Sequence, residues 1–560
     1  MATKSTTKRS RDVLFLGRSG GGKSTTINTL ANICAYYDYK KALEENDPIV
    51  LIPFQFDHNY DDKTKDVIRM GGVHMADAGN EQTENPELSC TQSPRIYSFV
   101  KDDKAFNFID MPGFGDTSGA GQDEHHRLQR QEFLRSLTEL HAIVVVMNSQ
   151  ENRITPQFKA ALNDVLALVP KAAISNLFFI GTHAIHTNFT GGSLVVNLQD
   201  YLNDINKDYE KKYNQKLKLS AKENLYFVDY DGFRHLVAKH RSPRYHAMTA
   251  DRGDATKSMC WNRTREALWT LMGRVIELKG VPTSIIGDID LARNTIEIVI
   301  DVMMEILVEI EDLKTPEKLK ELRTQLEQNG HLSPPCTFCR SCKTPSKSGG
   351  IFTATPKICH RNCRCYTGVP PKAPGHAGLK DCTIFANGKC KVCKCPISCH
   401  FHDNDTSASH DQDAKAQEIL SNYNKKINFE SKQIVNVVTM AAAFLKEHTI
   451  VAFSNSHQTR LKEEIIKYDN NGDLDLADER REVLEKYQQR IAEVENILER
   501  TPNKGTNAEE FKKSLEKLFQ LPVTGGLIKD LYNDRTRQQF NFEEPCVYKA
   551  KNFPNWDVPF

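Results

Sequence analysis

A glycine-rich run ending in a lysine and two hydroxyl residues is the most chemically loaded stretch of the chain. Gly17, Arg18, Ser19, Gly20, Gly21, Gly22, Lys23, Ser24 and Thr25 fit the pattern G-x-x-x-x-G-K-[ST]. In such a loop the backbone N–H groups turn inward and cradle phosphate oxygens. Lys23 then reaches the β- and γ-phosphates of a nucleoside triphosphate, and the Ser24 hydroxyl binds Mg²⁺. Two residues further along complete a magnesium site: Thr91, which ends a long polar segment, and Asp110, which closes the run Ala105–Asp110. Asp110 opens a D-x-x-G sequence, in which the acid holds Mg²⁺ through a water and the Gly113 N–H senses the γ-phosphate. The next residue is Phe114, where fast hydrolysis calls for a water-orienting glutamine. No catalytic residue is therefore assigned, and turnover is expected to be slow unless a partner completes the site.

A second chemistry sits in the middle of the chain. Of 15 cysteines, 11 fall between Cys336 and Cys399. They are Cys336, Cys339, Cys342, Cys359, Cys363, Cys365, Cys382, Cys390, Cys393, Cys395 and Cys399, and His360, His400 and His402 lie among them. A C-x-x-C knuckle brings two thiolates to the same side of a tight turn, where they share one tetrahedral ion, so the block is expected to hold about two or three Zn²⁺. It has few aliphatic residues to bury, and metal would supply its folding energy. Spacing leaves open which four ligands share each ion. The block is also basic, with 11 Lys or Arg and one acid, Asp381, between His331 and His402, which permits nucleic acid as a partner. Its paired knuckles resemble RING modules, but their order does not match the alternating RING scheme.

The elements that must position these groups follow the hydrophobic pattern. Val13–Leu16 reads as a buried strand and Thr26–Ala35 as the helix after the loop. Strands are expected at Arg95–Val100, Ala105–Asp110, Ala142–Met147, Leu177–Ile180 and Leu225–Val228. Helices are expected at Glu124–Leu140, Pro156–Leu168 and Leu198–Leu217. Ile49–Phe54 is a strand or a tucked-in loop, and Asp57–Ser93 reads as one long functional loop. This alternation predicts an α/β fold, a doubly wound P-loop NTPase domain that resembles the TRAFAC type, followed by a zinc-stabilised cysteine-rich module and α-helical regions. The expected division is a flexible tail over 1–11, the P-loop domain over 12–245 and a helical extension over 246–330. The cysteine-rich module follows over 331–410, a helical hairpin or coiled coil over 411–540, and an irregular aromatic tail over 541–560 that docks elsewhere on the chain. Trp261, Leu268, Met272 and Ile276 recur at helical spacing and are expected to pack on the P-loop domain.

At 560 residues the chain calls for several domains, and a net charge of +1 gives no polyelectrolyte signal. Met1–Arg11 lacks an apolar leader stretch. Ile296–Ile310 carries Glu297, Asp301, Glu305 and Glu309 as one acidic stripe, and Val435–Phe453 is interrupted by Lys446, Glu447 and His448. Both read as packed helices, so no transmembrane segment is expected, and the location is expected to be cytoplasmic. Asp469–Asp475 has Leu474 where a calcium loop needs glycine, and reads as a turn between helices.

After the fourth strand of the P-loop domain stand Thr182, His183 and Ala184, and after the next Asp229, Tyr230 and Asp231. With Gly17–Thr25, Thr91 and the run from Asp110 to Thr117, they resemble the septin and immunity-associated (AIG-type) GTPase superclass. The D-x-P-G-x-G-D-T run is septin-like, and Thr-His in place of Asn-Lys is similar to chloroplast import-receptor GTPases. Ile52-Pro53, Thr91–Pro94 and Phe233-Arg234 are most similar to large invertebrate and fungal proteins of this type that carry a cysteine-rich insert. The resemblance implies GTP/GDP and Mg²⁺ as ligands, His183 stacking on guanine with Thr182 beside it, and Asp229 near the base. It also implies a homodimer across the nucleotide face, with protein partners bound through the helical region. The sequence thus points to a slow GTPase whose nucleotide state controls dimerisation or scaffold assembly. The alternative is a zinc-dependent scaffold for RNA or protein, or a RING-like ubiquitin ligase, whose nucleotide domain does not hydrolyse.

Overall fold

The computed structural model describes residues 9–45, 47–60, 64–70, 91, 93–113, 120–150, 155–249, 255–314, 336–346, 353–360, 373–403, 412–454, 456–502, 505–536, 540 and 542–555. Two compact units emerge. The first comprises Met1–Leu291, Leu445–Gln489 and Gln539–Phe560, and the second Ala292–Phe444 and Arg490–Gln538.

The first unit is built on a seven-stranded sheet. In chain order its strands are β1 (Arg9–Gly17), β2 (Arg95–Lys101), β3 (Lys104–Asp110), β4 (Ala142–Asn148), β5 (Leu177–Thr182), β6 (Leu225–Phe227) and β7 (Cys546–Lys549). They lie in the order β7-β2-β3-β1-β4-β5-β6. All neighbours run parallel except β2 and β3. That pair is joined by a tight turn in which Asp102 takes φ 55°, a left-handed conformation that short hairpins require. Alternate residues of each central strand enter different cores. Val13, Phe15, Phe106, Phe108, Val144, Val146, Phe178 and Ile180 face one side. Leu14, Leu16, Ile109, Ile143, Val145, Leu177 and Phe179 face the other. Burial on both faces is why these strands read as unbroken apolar runs rather than as alternating ones. The helix Ala255–Glu277 buries Trp261, Leu268, Met272 and Ile276 in the first of these cores, as its periodicity indicates.

Several boundaries differ from the sequence-based division. The tail expected over 1–11 is too long, because Arg9, Ser10 and Arg11 pair with Lys104, Ala105 and Phe106. The loop expected over Asp57–Ser93 contains an antiparallel hairpin of Phe54–Asn59 with Lys65–Met70. Its strands are short and half exposed, so their alternation is weak against the polar background. The region expected as one helical body over 411–540 divides, and 445–489 joins the first unit. There Ile450 and Val451 enter the second core, the Lys446 carbonyl accepts from Tyr209 at 2.7 Å, and Arg460 pairs with Asp164 at 3.0 Å.

The tail expected as irregular supplies β7. Its parallel register sets Cys546 against Tyr97 and Lys549 against Val100, closing the β2 edge. The Tyr548 ring lies 5.1 Å from that of Phe99, and the Phe553 ring 5.3 Å from that of Phe106. The Asn552 N–H donates to the Cys34 carbonyl at 2.8 Å, and Glu543 pairs with Arg95. A four-residue strand cannot announce itself in the sequence, because its partner lies more than 400 positions away. Tyr548→Ala is expected to lower the stability of this unit by about 1–2 kcal/mol, read as a lower urea midpoint, through loss of an edge-on aromatic contact and its packing.

The second unit contains a three-stranded antiparallel sheet, Thr353–His360, Cys336–Ser346 and His400–Asp403 in spatial order. Its helical part is held by polar anchors. Buried Glu430 accepts from the Val523 and Thr524 N–H groups, each at 2.9 Å, just before the helix Gly525–Thr536. Asp301, from the acidic stripe, pairs with Arg490 at 2.5 Å. No helix among the described residues is long and apolar enough to cross a membrane.

Candidate nucleotide site and metal centre

The glycine-rich loop joins β1 to α1 (Lys23–Ala35) at the carboxyl ends of the parallel strands, where open α/β sheets bind ligands. Glycine is required at its entrance: Gly17 has φ 146°, and a Cβ there would run into the Val146 carbonyl oxygen. The loop closes on itself through Gly21 N–H to the Arg18 carbonyl at 3.1 Å, and α1 begins with Thr26 N–H donating to Gly22 at 2.9 Å. The first N–H groups of α1 and its dipole therefore face the loop's concave side, which favours an anion. Lys23 is buried, its ammonium donating to the Gly17 and Arg18 carbonyls at 3.3 and 3.1 Å. It is thus held at the loop it would serve.

Three oxygens converge beside Lys23. Ser24 donates to Asp110 Oδ2 at 2.6 Å, Thr91 donates to the same oxygen at 3.4 Å, and the two hydroxyls lie 3.4 Å apart. Magnesium at about 2.1 Å from each ligand separates neighbouring ligand oxygens by roughly 3 Å, so this cluster has the dimensions of a hard-cation site. Ser24 gives its proton to the carboxylate and keeps its lone pairs for the ion. Asp110 is fully buried, and that burial pushes its carboxyl up, against the lowering pull of Lys23 and of the Ser24, Met111 and Thr91 hydrogen bonds. A divalent cation would supply the missing compensation for a buried carboxylate. The acid of the D-x-x-G sequence and the loop hydroxyl, 86 positions apart, are thus brought together. Gly113 lies against the loop as well: a Cβ there would come within 2.5 Å of the Ser19 nitrogen. Phe114 lies outside the described residues.

The residues expected near the base are placed differently from one another. Thr182 is buried, and its hydroxyl donates to the Gly21 and Met147 carbonyls at 3.2 Å each, so it braces the phosphate loop from behind. His183 has φ 55°, its Nδ1 lies 3.0 Å from Thr182 Oγ1, and burial followed by the nearby Arg234 charge lowers its pKa. Both effects favour the uncharged ring. Asp229 accepts from the Ile185 and Asp231 N–H groups at 3.0 and 2.9 Å, which fixes the turns around it. Tyr230 packs under the loop and meets Thr26 Oγ1 at 2.5 Å. Nothing in its sequence neighbourhood marks it for that role, since the contact spans 204 positions.

The cysteine block folds as two knuckles and a sheet. Between Cys339 and Lys343 the strand Cys336–Ser346 bulges away from its partner, turning Cys342 back toward Cys339. The hairpin Phe385–Ala386/Lys389–Cys390 turns at Asn387 and Gly388, with φ 52° and 75°. Beyond it Val392 N–H points at Cys390 Sγ at 3.4 Å, the hydrogen bond that tightens a knuckle. Two groups of ligand atoms result, Cys339, Cys342, Cys393 and Cys395, and Cys359, Cys390, Cys393 and His400, each within 4.8 Å mutually. His400 Nδ1 lies 2.9 Å from the Pro396 carbonyl, which only accepts, so that nitrogen carries the proton and Nε2 offers its lone pair 3.3 Å from Cys393 Sγ. Burial alone would raise Cys393. Hydrogen bonds led by the Cys395 N–H outweigh it and lower the thiol to about 6, while burial raises Cys339 and Cys395 to about 11. This donor set of thiolates and one imidazole suits Zn²⁺.

The other expected ligands lie apart from these groups. Cys382 Sγ has His360 Nδ1 at 3.1 Å and Thr337 Oγ1 at 3.6 Å, and Thr337 in turn has His402 Nε2 at 3.1 Å. Cys336 and Cys399 belong to neither group among the described residues. Cys363 and Cys365 lie outside the described residues.

Comparison with known proteins gives partial matches. Residues 331–405 match the family described as Domain of unknown function (DUF8206). Over 152 residues the chain is 28% identical to GTP-binding protein A of Dictyostelium discoideum, covering 27% of this chain and 23% of that relative's length. Among solved structures it is similar to Toc33 from Arabidopsis thaliana in complex with Mg²⁺ and GMPPNP, at 14% identity and a TM-score of 0.23, over 40% of this chain and 71% of that one. Era in complex with MgGDPNP and a segment of 16S ribosomal RNA matches at 11% identity and a TM-score of 0.20, over 43% and 56% of the two chains. On its own geometry, with a glycine-rich loop between β1 and α1 and an acid closing β3, the first unit contains a P-loop domain of α/β fold.

Proposed function

We propose that this chain is a cytoplasmic GTP-binding protein that hydrolyses GTP slowly and uses the bound nucleotide to control self-association. The observation that carries the reading is the meeting of Ser24, Thr91 and Asp110 around one point beside Lys23 at the start of α1. Lys23 and the loop N–H groups bind the phosphates. Ser24, Thr91 and Asp110 arrange Mg²⁺, and Gly113, packed on Ser19, couples the γ-phosphate to the segment after it. Guanine is favoured over adenine by the 28% identity to GTP-binding protein A, and the His183 ring, whose uncharged form is favoured by burial, would stack on the base. The thiolate-rich block is a structural Zn²⁺ module, and the helices of the second unit serve protein partners. Phe114 stands where a water-orienting glutamine is expected, and that task falls to a second copy docked across the nucleotide face.

The test is the nucleotide carried by the purified chain and the rate of phosphate release per molecule as protein concentration rises. Bound GDP or GTP and a rate per molecule that climbs with concentration are expected. A constant rate with GTP bound removes the self-association step and leaves a nucleotide-held scaffold. Bound ATP or ADP overturns the guanine assignment.

A further inference from the structure

The two groups of metal-ligating atoms are not independent, because Cys393 belongs to both. Four residues in each with one in common make seven residues. Two tetrahedral ions require about eight ligand positions. A thiolate sulfur has lone pairs enough to bind two ions at once, whereas an imidazole nitrogen has one. The separations agree with ligands already disposed about two centres. With Zn–S near 2.3 Å, tetrahedral geometry sets sulfurs about 3.8 Å apart, and sulfur and nitrogen about 3.5 Å apart. Cys342 and Cys395 are 3.5 Å apart and Cys393 lies 3.3 Å from His400 Nε2.

Resting on the zinc reading above, we infer that Cys339, Cys342, Cys395, Cys359, Cys390 and His400 hold a dinuclear zinc cluster in which Cys393 Sγ bridges both ions. One ion is bound by Cys339, Cys342 and Cys395 with the bridge, the other by Cys359, Cys390 and His400 with the same bridge. Each thiol releases its proton to solvent on binding, and His400 keeps the proton on Nδ1 for Pro396. Sharing one thiolate leaves less excess negative charge than two separate sites, which matters for sulfurs as buried as Cys339 and Cys390. It also ties the knuckle of one strand to the hairpin that carries the other, so loss of the shared sulfur weakens both ions.

The experiment uses the full-length chain with its zinc exchanged for an NMR-active cadmium isotope. Two cadmium resonances split by mutual coupling through the shared sulfur are expected. Relative to the unaltered protein, Cys393→Ser is expected to lose both ions of the cluster to a competing chelator, while Cys342→Ser loses first the ion bound by its own group. Sharp uncoupled resonances, with Cys393→Ser losing one ion and keeping the other, overturn the bridge but leave the zinc reading intact, because a ligand elsewhere in the chain then fills the eighth position. A protein that takes up neither zinc nor cadmium overturns both.

Discussion

Lys23→Ala is expected to abolish nucleotide uptake while leaving the chain folded. The ammonium is the one buried side-chain cation in the loop, and it would trade its present bonds to the Gly17 and Arg18 carbonyls for charge-assisted bonds to phosphate oxygens. Such bonds are the strong ones in proteins, and losing two to a multiply charged ligand costs about 3 kcal/mol or more, roughly a hundred-fold in Kd. Titration with a fluorescently labelled guanine nucleotide in Mg²⁺ reads the effect directly. Ser24→Ala supplies the contrast. It removes the hydroxyl that links the ion to Asp110, so affinity should become insensitive to Mg²⁺ yet remain measurable in its absence. Undiminished binding by the Lys23 variant would mean that the ligand does not sit at this loop, and the proposed switch would go with it.

Removal of metal is expected to unfold the cysteine-rich segment and to leave nucleotide binding intact. Among the described residues of that segment, Cys339, Cys359 and Cys390 form a buried cluster with Ile384 and Phe385 packed beside them, and Leu379 is the one buried aliphatic side chain. Buried apolar area of that size does not offset the ordering of the described residues of this segment. Structural zinc contributes about 10–16 kcal/mol in small thiolate modules, which is ample. A strong chelator, or Cys390→Ser, should make this segment the first site of protease cleavage, while labelled-nucleotide affinity changes less than about twofold. Equal protease resistance with and without chelator would mean that packing alone holds the segment, and that the thiolates have some other task.

The extent to which the sequence revealed this design depends on the range of each interaction. The phosphate loop was legible because nine consecutive residues, Gly17–Thr25, carry it and the flanking apolar runs fix its setting. Asp110 was legible because it ends an apolar strand, and Gly113 because it follows at the D-x-x-G spacing. The cysteine knuckles were legible through their local spacing. In each case the chemistry is written within about a dozen residues, the range over which the backbone itself fixes geometry.

The β7 strand, the role of Tyr230 and the division of the helical region were not legible, since each depends on partners hundreds of positions distant. Thr182 shows the same limit from the other side. It closes β5, and only packing shows that its hydroxyl faces the Gly21 carbonyl. The candidate metal ligands are the clearest instance: spacing offered eleven cysteines and three histidines without grouping them, and only the folded hairpins bring Cys339 to Cys395 and Cys359 to His400 about Cys393. The sequence by itself determined which atoms are present to bind phosphate, magnesium and thiophilic metal, because side-chain chemistry is local. Only the tertiary structure decided which of them meet, because a ligand set is closed by elements brought together through burial of their apolar faces, and that energy is not written at any one position.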